Sequence, residues 1–544
     1  MASMLQGRLD GVPASAEVRD AQLVVRTHTD VVRLPVELVL HSALTPVRDT
    51  LVLELGLLAP RPSPSAARAC TGARGTRGPY ILTRAQWRAR AADRAAARLT
   101  PVTLRLTLAP AQAADADAWR RDVHAHAFPQ ERKRILVIAN PVGGQGNGKR
   151  VLDTQVVPLF RAAHCALTVF ETRGRSDAFR YVHAMDVHEF DALVCVGGDG
   201  TLHEIVNGLA ARTDAAAALA ALPLVPVPCG SGNGAYVSLH GAHRFNVALA
   251  CLSALKGATH AQELCVVTQD AALFRTRPIY PLTGHAQDGR TYVQYYSFLS
   301  QAIGLMADID LGTERFRFLG DLRFSLGYVV GAIRNKRCDV TIDVMIGERG
   351  TTVRPEMRRR ARSAVPRAPP AVGADVRALR YGSVLDAHAA PAPLRLDAPL
   401  PEGDEGAWRR VDEPVSTLYG GKMPYVARSL MAFPYASAAD GAMEILLQTQ
   451  SSSFVQKLAS VVDGERGEHV EHPGVHYFKV EAFRVTPHVP THGHYLSIDG
   501  EMVPYGAFQV EVAPLRMMLA SLDDDEWHAP ILHPPAAQDD DAAT

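Results

Sequence analysis

The sequence predicts an α/β domain on a Rossmann-like parallel sheet, preceded by a β-rich N-terminal extension and followed by a mostly antiparallel β-sandwich domain. Three observations carry this. Strand-like and helix-like runs alternate from Arg134 to about 250, the pattern of βα units around a parallel sheet. Glycine-rich turns follow three strands of that array, at the strand ends where such sheets bind ligands. Before and after it, apolar and polar residues alternate with period two, as half-buried strands do.

The extension, 1–130, holds the alternating runs AQLVVRTH, VVRLPVELVL, TLVLELGL and VTLRLTLA, then a helix around 111–126 containing Trp119. Strands closed by one helix resemble a pleckstrin-homology-like module in pattern; an irregular β-rich extension is the alternative. RILVIANP opens the central array, 131–255. It continues as a helix (VLDTQVVPLFRAAH), a strand (ALTVFET), a helix (SDAFRYVHAM), a strand (DALVCVGGDG) and a helix (TLHEIVNGLAAR). The second domain, 256–522, has longer strands and one helical interruption expected around 302–335. Inside it, 349–412 is rich in Pro, Ala, Arg and charge, too poor in apolar surface to order itself, and is expected to be a disordered insertion. An acidic tail follows at 523–544.

Composition excludes some functions. Lys+Arg and Asp+Glu are both 57 in 544 residues, so a globally basic nucleic-acid binder is not expected. Seven cysteines without a CxxC pair suggest reduced thiols and a cytoplasmic address. The N-terminus lacks the apolar core of a signal peptide. The longest uncharged stretch, near 215–239, is broken by Pro223, Pro226 and Pro228, so no transmembrane segment is expected. The zero charge is a cancellation. Residues 61–98 hold nine Arg against the single acid Asp93. TRAQWRARAADRAAARL, with Trp87, has the make-up of a basic helix on an anionic membrane surface; a solvated linker is the alternative.

The chemistry concentrates in four motifs. NPVGGQGNGKR (Asn140 to Arg150) lets backbone amides approach a phosphate through Gly143, Gly144, Gly146 and Gly148. It misses the Walker pattern because Arg150 stands where Ser or Thr would follow Lys149. VGGDGTLHEIVNG places one carboxylate, Asp199, among Gly197, Gly198 and Gly200 with Thr201 opening a helix. A carboxylate beside polyphosphate takes a proton from an attacking hydroxyl or holds Mg²⁺ through water; a bare helix cap is the alternative. PCGSGNGAYVSL supplies Gly230, Ser231, Gly232 and Asn233. The fourth, Asp499-Gly500-Glu501, reads alone as a hairpin turn.

GGDGTLHEIVNG with the downstream GSGN resembles the catalytic domain shared by diacylglycerol, sphingosine and ceramide kinases; NAD kinases share GGDG more distantly. The resemblance spans about 131–346 and 414–520. Within this group it most resembles sphingosine (long-chain-base) kinases, through FLSQAIGLMADIDLGTERFRFLGDLRFSLG (Phe298 to Gly327). Asp310, Glu314 and Arg317 share a face if that segment is helical.

The resemblance implies an ATP-dependent lipid kinase that phosphorylates the primary hydroxyl of a sphingoid base, with a ceramide or diacylglycerol kinase as the alternative. Asp199 is then the catalytic base. Asn140, Pro141, Gly143, Gly144, Gly146, Lys149, Thr172 and the second and third turns hold nucleotide. Arg317 and Arg323 hold phosphates. Asp499, Gly500 and Glu501 lie at the metal–phosphate site, with Glu501 near Mg²⁺-bound water. Asp310 and Glu314 recognise the amine. Ile303, Leu305, Met306, Ile309 and Phe324 line the tail pocket or, alternatively, are ordinary core packing. Peripheral contact with a membrane surface is expected from the basic stretch 61–98. Gln145 stands where the family often has lysine, which puts the reach of Lys149 in question. His203 is expected to be structural.

Overall fold

The computed structural model describes residues 4–9, 12–27, 31–60, 99–242, 244–274, 284–287, 290–312, 338–362, 380–381, 391–394, 407–411, 413–488 and 494–522. Glu314, Arg317, Arg323, Phe324, the arginine-rich stretch 61–98 and the tail after 522 lie outside them.

Seven N-terminal strands form one antiparallel sheet: β1 (Leu5–Leu9), β2 (Val12–Arg19), β3 (Gln22–Thr27), β4 (Val31–Pro35), β5 (Val39–Val47), β6 (Thr50–Pro60) and β7 (Leu99–Leu108). Their order is β4-β3-β2-β1-β7-β6-β5. Period-two alternation sends Leu53, Leu55, Leu57 and Leu106 into the core. Helix α1 (Ala113–Ala127) closes the sheet with Trp119 and Val123. This core is continuous with one face of the central sheet. At the seam, buried Lys256 donates to Val39 O at 2.7 Å.

The central strands β8 (Arg134–Ala139), β9 (Ala166–Glu171), β10 (Ala192–Gly197) and β11 (Leu224–Pro228) run parallel in the order β9-β8-β10-β11. Their near-continuous apolar runs are what a strand covered on both faces needs. Ile135 and Val137 join Phe160 and Leu252 on one face, while Leu136 and Ile138 join Val182 and Ile205 on the other. Helical residues 148–162 and the helices α2 (Asp177–Ala184), α3 (Asp199–Ala210), α4 (Ala215–Ala221), α5 (Gly234–His240) and α6 (Val247–Lys256) supply the crossovers.

The sheet does not stop at the domain boundary drawn at 255. Strand β25 (Phe508–Ser521) lies parallel to β11, with Leu519 opposite Leu224, and antiparallel to β12 (Ala258–Asp270) along most of its length. Through β25 the sheet continues into β22 (Ala482–Pro487), β16 (Val340–Met345), β18 (Trp408–Val411) and β17 (Ala392–Leu394). Strands β13 (Gly284–Gln287) and β14 (Arg290–Ser297) extend it from β12.

A second sheet has the order β21-β20-β19-β15-β23-β24. Its strands are β15 (Ser300–Gly304), β19 (Val415–Gly421), β20 (Met443–Thr449), β21 (Val475–Val480), β23 (Leu496–Ile498) and β24 (Glu501–Val503). Ile303, Leu418 and Leu447 from it share one core with Val344, Phe483 and Val510 of the larger sheet. The helix expected from 302 begins only at α7 (Leu305–Gly312). Gly304 ends β15 at φ +72°, and a Cβ there would strike Cys338 and Ser416, so the strand breaks at that glycine.

The expectation that all of 349–412 is disordered does not hold. Helix α8 (Arg354–Arg362) buries Met357 completely. Strand β18 pairs with β16, and Trp408 lies under the Arg484 guanidinium at 3.7 Å. Arg380 and Tyr381 both bond the Glu481 carboxylate. Arginine-rich composition misled here because some of these arginines meet buried carboxylates, Arg380 on Glu481 and Arg410 on Asp343.

Candidate active site

The three glycine turns lie side by side at the C-terminal ends of β8, β10 and β11. Asn140 ties the first to the second. Its Oδ1 accepts from the Val142 amide (3.2 Å) and its Nδ2 donates to Thr201 Oγ1 (3.4 Å). Pro141 O accepts the Lys149 amide at 3.2 Å. Gly143, Gly144 and Gly146 form a short helical turn (Gly143–Gly146). A Cβ at Gly197 would stand 2.6 Å from Thr201 Oγ1, and one at Gly230 would stand 2.5 Å from Gly198 Cα. The second and third turns therefore touch backbone to backbone. Asn233, left-handed at φ 57°, closes the third turn on Gly230 in both directions at 2.7 Å.

Asp199 is the first residue of α3, after Gly198 at the N-cap. Its Oδ2 accepts the Gly234 amide (3.0 Å) and its Oδ1 the Ala235 amide (3.2 Å), both at the start of α5. It lies deep among protein atoms yet keeps partial exposure, because a cavity reaches it. Burial, assisted by the Asp499 charge and opposed by the backbone amides, pushes its carboxyl up to about 6. A carboxylate so tuned accepts a proton better than an ordinary aspartate does.

Asp499 has a different role from the one expected. Its Oδ1 accepts Ser297 Oγ (2.6 Å) and the Leu299 and Ser300 amides (both 2.9 Å). Its Oδ2 accepts the Phe298 amide (3.1 Å) and His203 Nδ1 (2.8 Å). Five donors saturate a carboxylate that is 1% exposed, leaving nothing for a nucleotide. Asp499, itself left-handed at φ 51°, is the knot that joins the two halves. His203 is structural, as expected. Asn207, one turn on, donates to Tyr296 O and accepts its amide, both at 2.8 Å, which docks α3 on β14. The knot aims Glu501, whose carboxylate lies over Gly200, so that a Cβ there would have to push it aside. Arg175 donates to Glu501 Oε2 at 3.4 Å.

A single cavity of about 570 Å³ runs through the site. One end is walled by the three turns with Asp199, Ser231, Gly232, Gly500 and Glu501. The other passes between the second sheet, α7 and helix α9 (Phe454–Val462), along Met306, Ile309, Tyr419, Leu446 and Val475. Ile303 and Leu305 are not in its wall. In β15 Ser300 and Ala302 face the cavity, so alternation turns Ile303 to the opposite face. Leu305 is buried where α7 begins. Asp310 is in the last turn of α7. Lys149 and Thr172 are also outside the wall. Lys149 is spent on Glu171 (2.7 Å) and Asp153 (3.1 Å). Thr172 continues β9 by donating its amide to Ala139 O. Tyr419 and Leu446 escaped the sequence reading, although alternation in STLYGG and EILLQT marks one face of two strands. Arg175 had no signal of its own.

Residues 134–267 match the diacylglycerol kinase catalytic domain. The chain is 28% identical over 424 residues to "Sphingoid long chain base kinase 5" of Saccharomyces cerevisiae, covering 71% of this chain and 58% of that one. It is 29% identical over 386 residues to "Sphingoid long chain base kinase 4" of Schizosaccharomyces pombe (70% and 73%). To human "Sphingosine kinase 1" it is 29% identical over 393 residues (71% and 91%). Residues 134–267 are thus similar to a diacylglycerol kinase catalytic domain. Over about 70% of its length the chain is similar to proteins named as sphingoid base or sphingosine kinases.

Proposed function

We propose that the protein is an ATP-dependent kinase that phosphorylates the primary hydroxyl of sphingoid long-chain bases. The observation that carries this is the continuous cavity, in which glycine turns suited to polyphosphate open directly into an apolar chamber. Few water-soluble acceptors need such a chamber; an aliphatic chain does. The relatives named as sphingoid base kinases support the same substrate class.

Asp199 takes the hydroxyl proton as the oxygen attacks the γ-phosphorus, and ADP leaves. Such transfer depends mostly on positioning and charge stabilisation. The small residues of the three turns leave room for the phosphates, and Asn140 and Asn233 keep those turns in register. Asp310 and Glu314 recognise the cationic head, and Arg317 and Arg323 bind phosphate.

Among the described residues no three potential ligands cluster to hold a metal. Mg²⁺ usually takes one or two protein carboxylates and fills its shell with water and phosphate oxygens. Glu501, beside the phosphate end, would hold it through water, and it would neutralise charge on the phosphates.

No helix among the described residues is long and apolar enough to cross a membrane. Peripheral contact through the basic stretch 61–98, with the N-terminal sheet and α1 as a pleckstrin-homology-like neighbour, would bring the enzyme to its lipid; liposome sedimentation of a chain lacking 61–98 tests it. The kinase reading is tested by a thin-layer assay with labelled ATP and separate sphingoid base, ceramide and diacylglycerol acceptors. Labelled product from the free base supports it, and product from the other two alone overturns it.

A further inference from the structure

The far half of the cavity is not uniformly apolar. Its floor is the second sheet, whose register sorts the wall into rows. Ala302, Tyr419 and Leu446 stand opposite one another in the nearer row. The deeper row is Gly304, Thr417, Gln448 and Val475. Thr417 is 2% exposed and Gln448 4%. Among the described residues Thr417 Oγ1 has no hydrogen-bond partner. His469, also in the wall and 5% exposed, has its Nδ1 without a partner among the described residues. Its ring already bonds the Ala432 backbone, and burial holds it neutral by lowering its pKa to about 4. A neutral imidazole keeps one donor and one acceptor nitrogen.

Unpaired polar atoms this deep carry a desolvation penalty unless something completes them. A purely hydrocarbon chain would leave them unmet. Gly304 is four residues along β15 from Ser300 at the phosphate end. At the strand rise, the deeper row is roughly 13 Å further in. That is about ten bonds of an extended chain, well beyond any head group.

We propose that the deep end of the cavity selects acceptors whose aliphatic chain carries a hydroxyl at mid-chain, with Thr417 and His469 as its hydrogen-bonding residues. The proposal rests on the kinase reading above and narrows its substrate to chain-hydroxylated bases. A site built to bond a hydroxyl penalises the analogue that lacks it, because its own polar groups stay unpaired.

The test uses the full chain with three acceptors: sphinganine, sphinganine hydroxylated near the head, and sphinganine hydroxylated at mid-chain. The expected result is a kcat/KM for the mid-chain alcohol roughly tenfold or more above that of sphinganine. The head-proximal alcohol should gain no such advantage. In Thr417→Val, which keeps shape and loses the hydroxyl, the ratio of mid-chain alcohol to sphinganine should fall toward one. Equal use of all three acceptors by the wild type overturns the selection while leaving the kinase reading intact, the two polar atoms then holding only water. An unchanged ratio in Thr417→Val also overturns it. If none of the bases is phosphorylated, both readings fall. The wild-type comparison stands whether or not the variant folds.

Discussion

Replacing Asp199 by Asn separates the chemistry of this site from its stability. The carboxyl is raised from 3.8 to about 6, so at pH 7 the buried charge costs about 3 kcal/mol of folding stability. The sign follows from the direction. The folded state holds this proton more tightly than the unfolded chain does. The contribution is therefore full below about pH 4 and lost as pH rises through about 6. Asn removes that cost. It also offers one acceptor oxygen to the two amides of Gly234 and Ala235 that now use both, a loss of about 1–3 kcal/mol. The two effects nearly cancel at pH 7, so the variant should fold. Its turnover should drop by roughly 10²–10⁴. Wild-type kcat should rise with pH through about 6 as the base is freed. Labelled-ATP turnover and melting between pH 4 and 7.5 read both arms. Wild-type turnover in the variant refutes Asp199 as the base. An equal pH dependence of melting in both proteins refutes the buried-charge account.

Four further outcomes are expected. Asp499→Asn strands at least one buried donor and should lose about 2–4 kcal/mol in denaturant unfolding, whereas the partly exposed Glu501→Gln should keep the wild-type midpoint and lose turnover. Gly230→Ala drives a Cβ against Gly198 and should weaken ATP binding at least about tenfold by titration calorimetry, since neither backbone can yield cheaply. Met306→Trp should raise KM for long-chain acceptors more than for truncated ones, because Met306 lines the chamber. Asp440→Asn removes the carboxylate between buried Lys422 and Lys479, each of which keeps one more carboxylate, Glu263 and Glu444, and should cost about 1–3 kcal/mol in chemical denaturation.

The glycine turns were legible as turns because small residues recur at three strand ends. The sequence assigned those glycines to a phosphate; the contact of Gly198 with Gly230 is a packing requirement it did not foresee. Asp499 was misread because its burden is long-range. Four of its five donors lie about two hundred residues earlier, in 297–300, and no local pattern reveals them. Ile303 failed for a local reason, since a helix read through Gly304 puts it on the wrong periodicity. Lys149 was doubtful from its loop, and the cause is the pair Asp153 and Glu171, of which only Asp153 is close in sequence. The chamber wall comes from segments more than a hundred residues apart in the chain. Alternation could name its faces, but not say which face meets the cavity.

Strand β25 carries a consequence for how the molecule is made. Its residues, 508–521, are among the last described, yet they cover the open edge of β11 beside the nucleotide turns. During synthesis the central array can collapse early, but its edge at Leu224 stays bare until nearly three hundred more residues have emerged. A bare apolar edge invites pairing with other chains. The catalytic half should therefore be a poor fragment on its own, prone to aggregate when expressed as 131–255, and a stop or frameshift late in the message would damage the nucleotide site as surely as one within it.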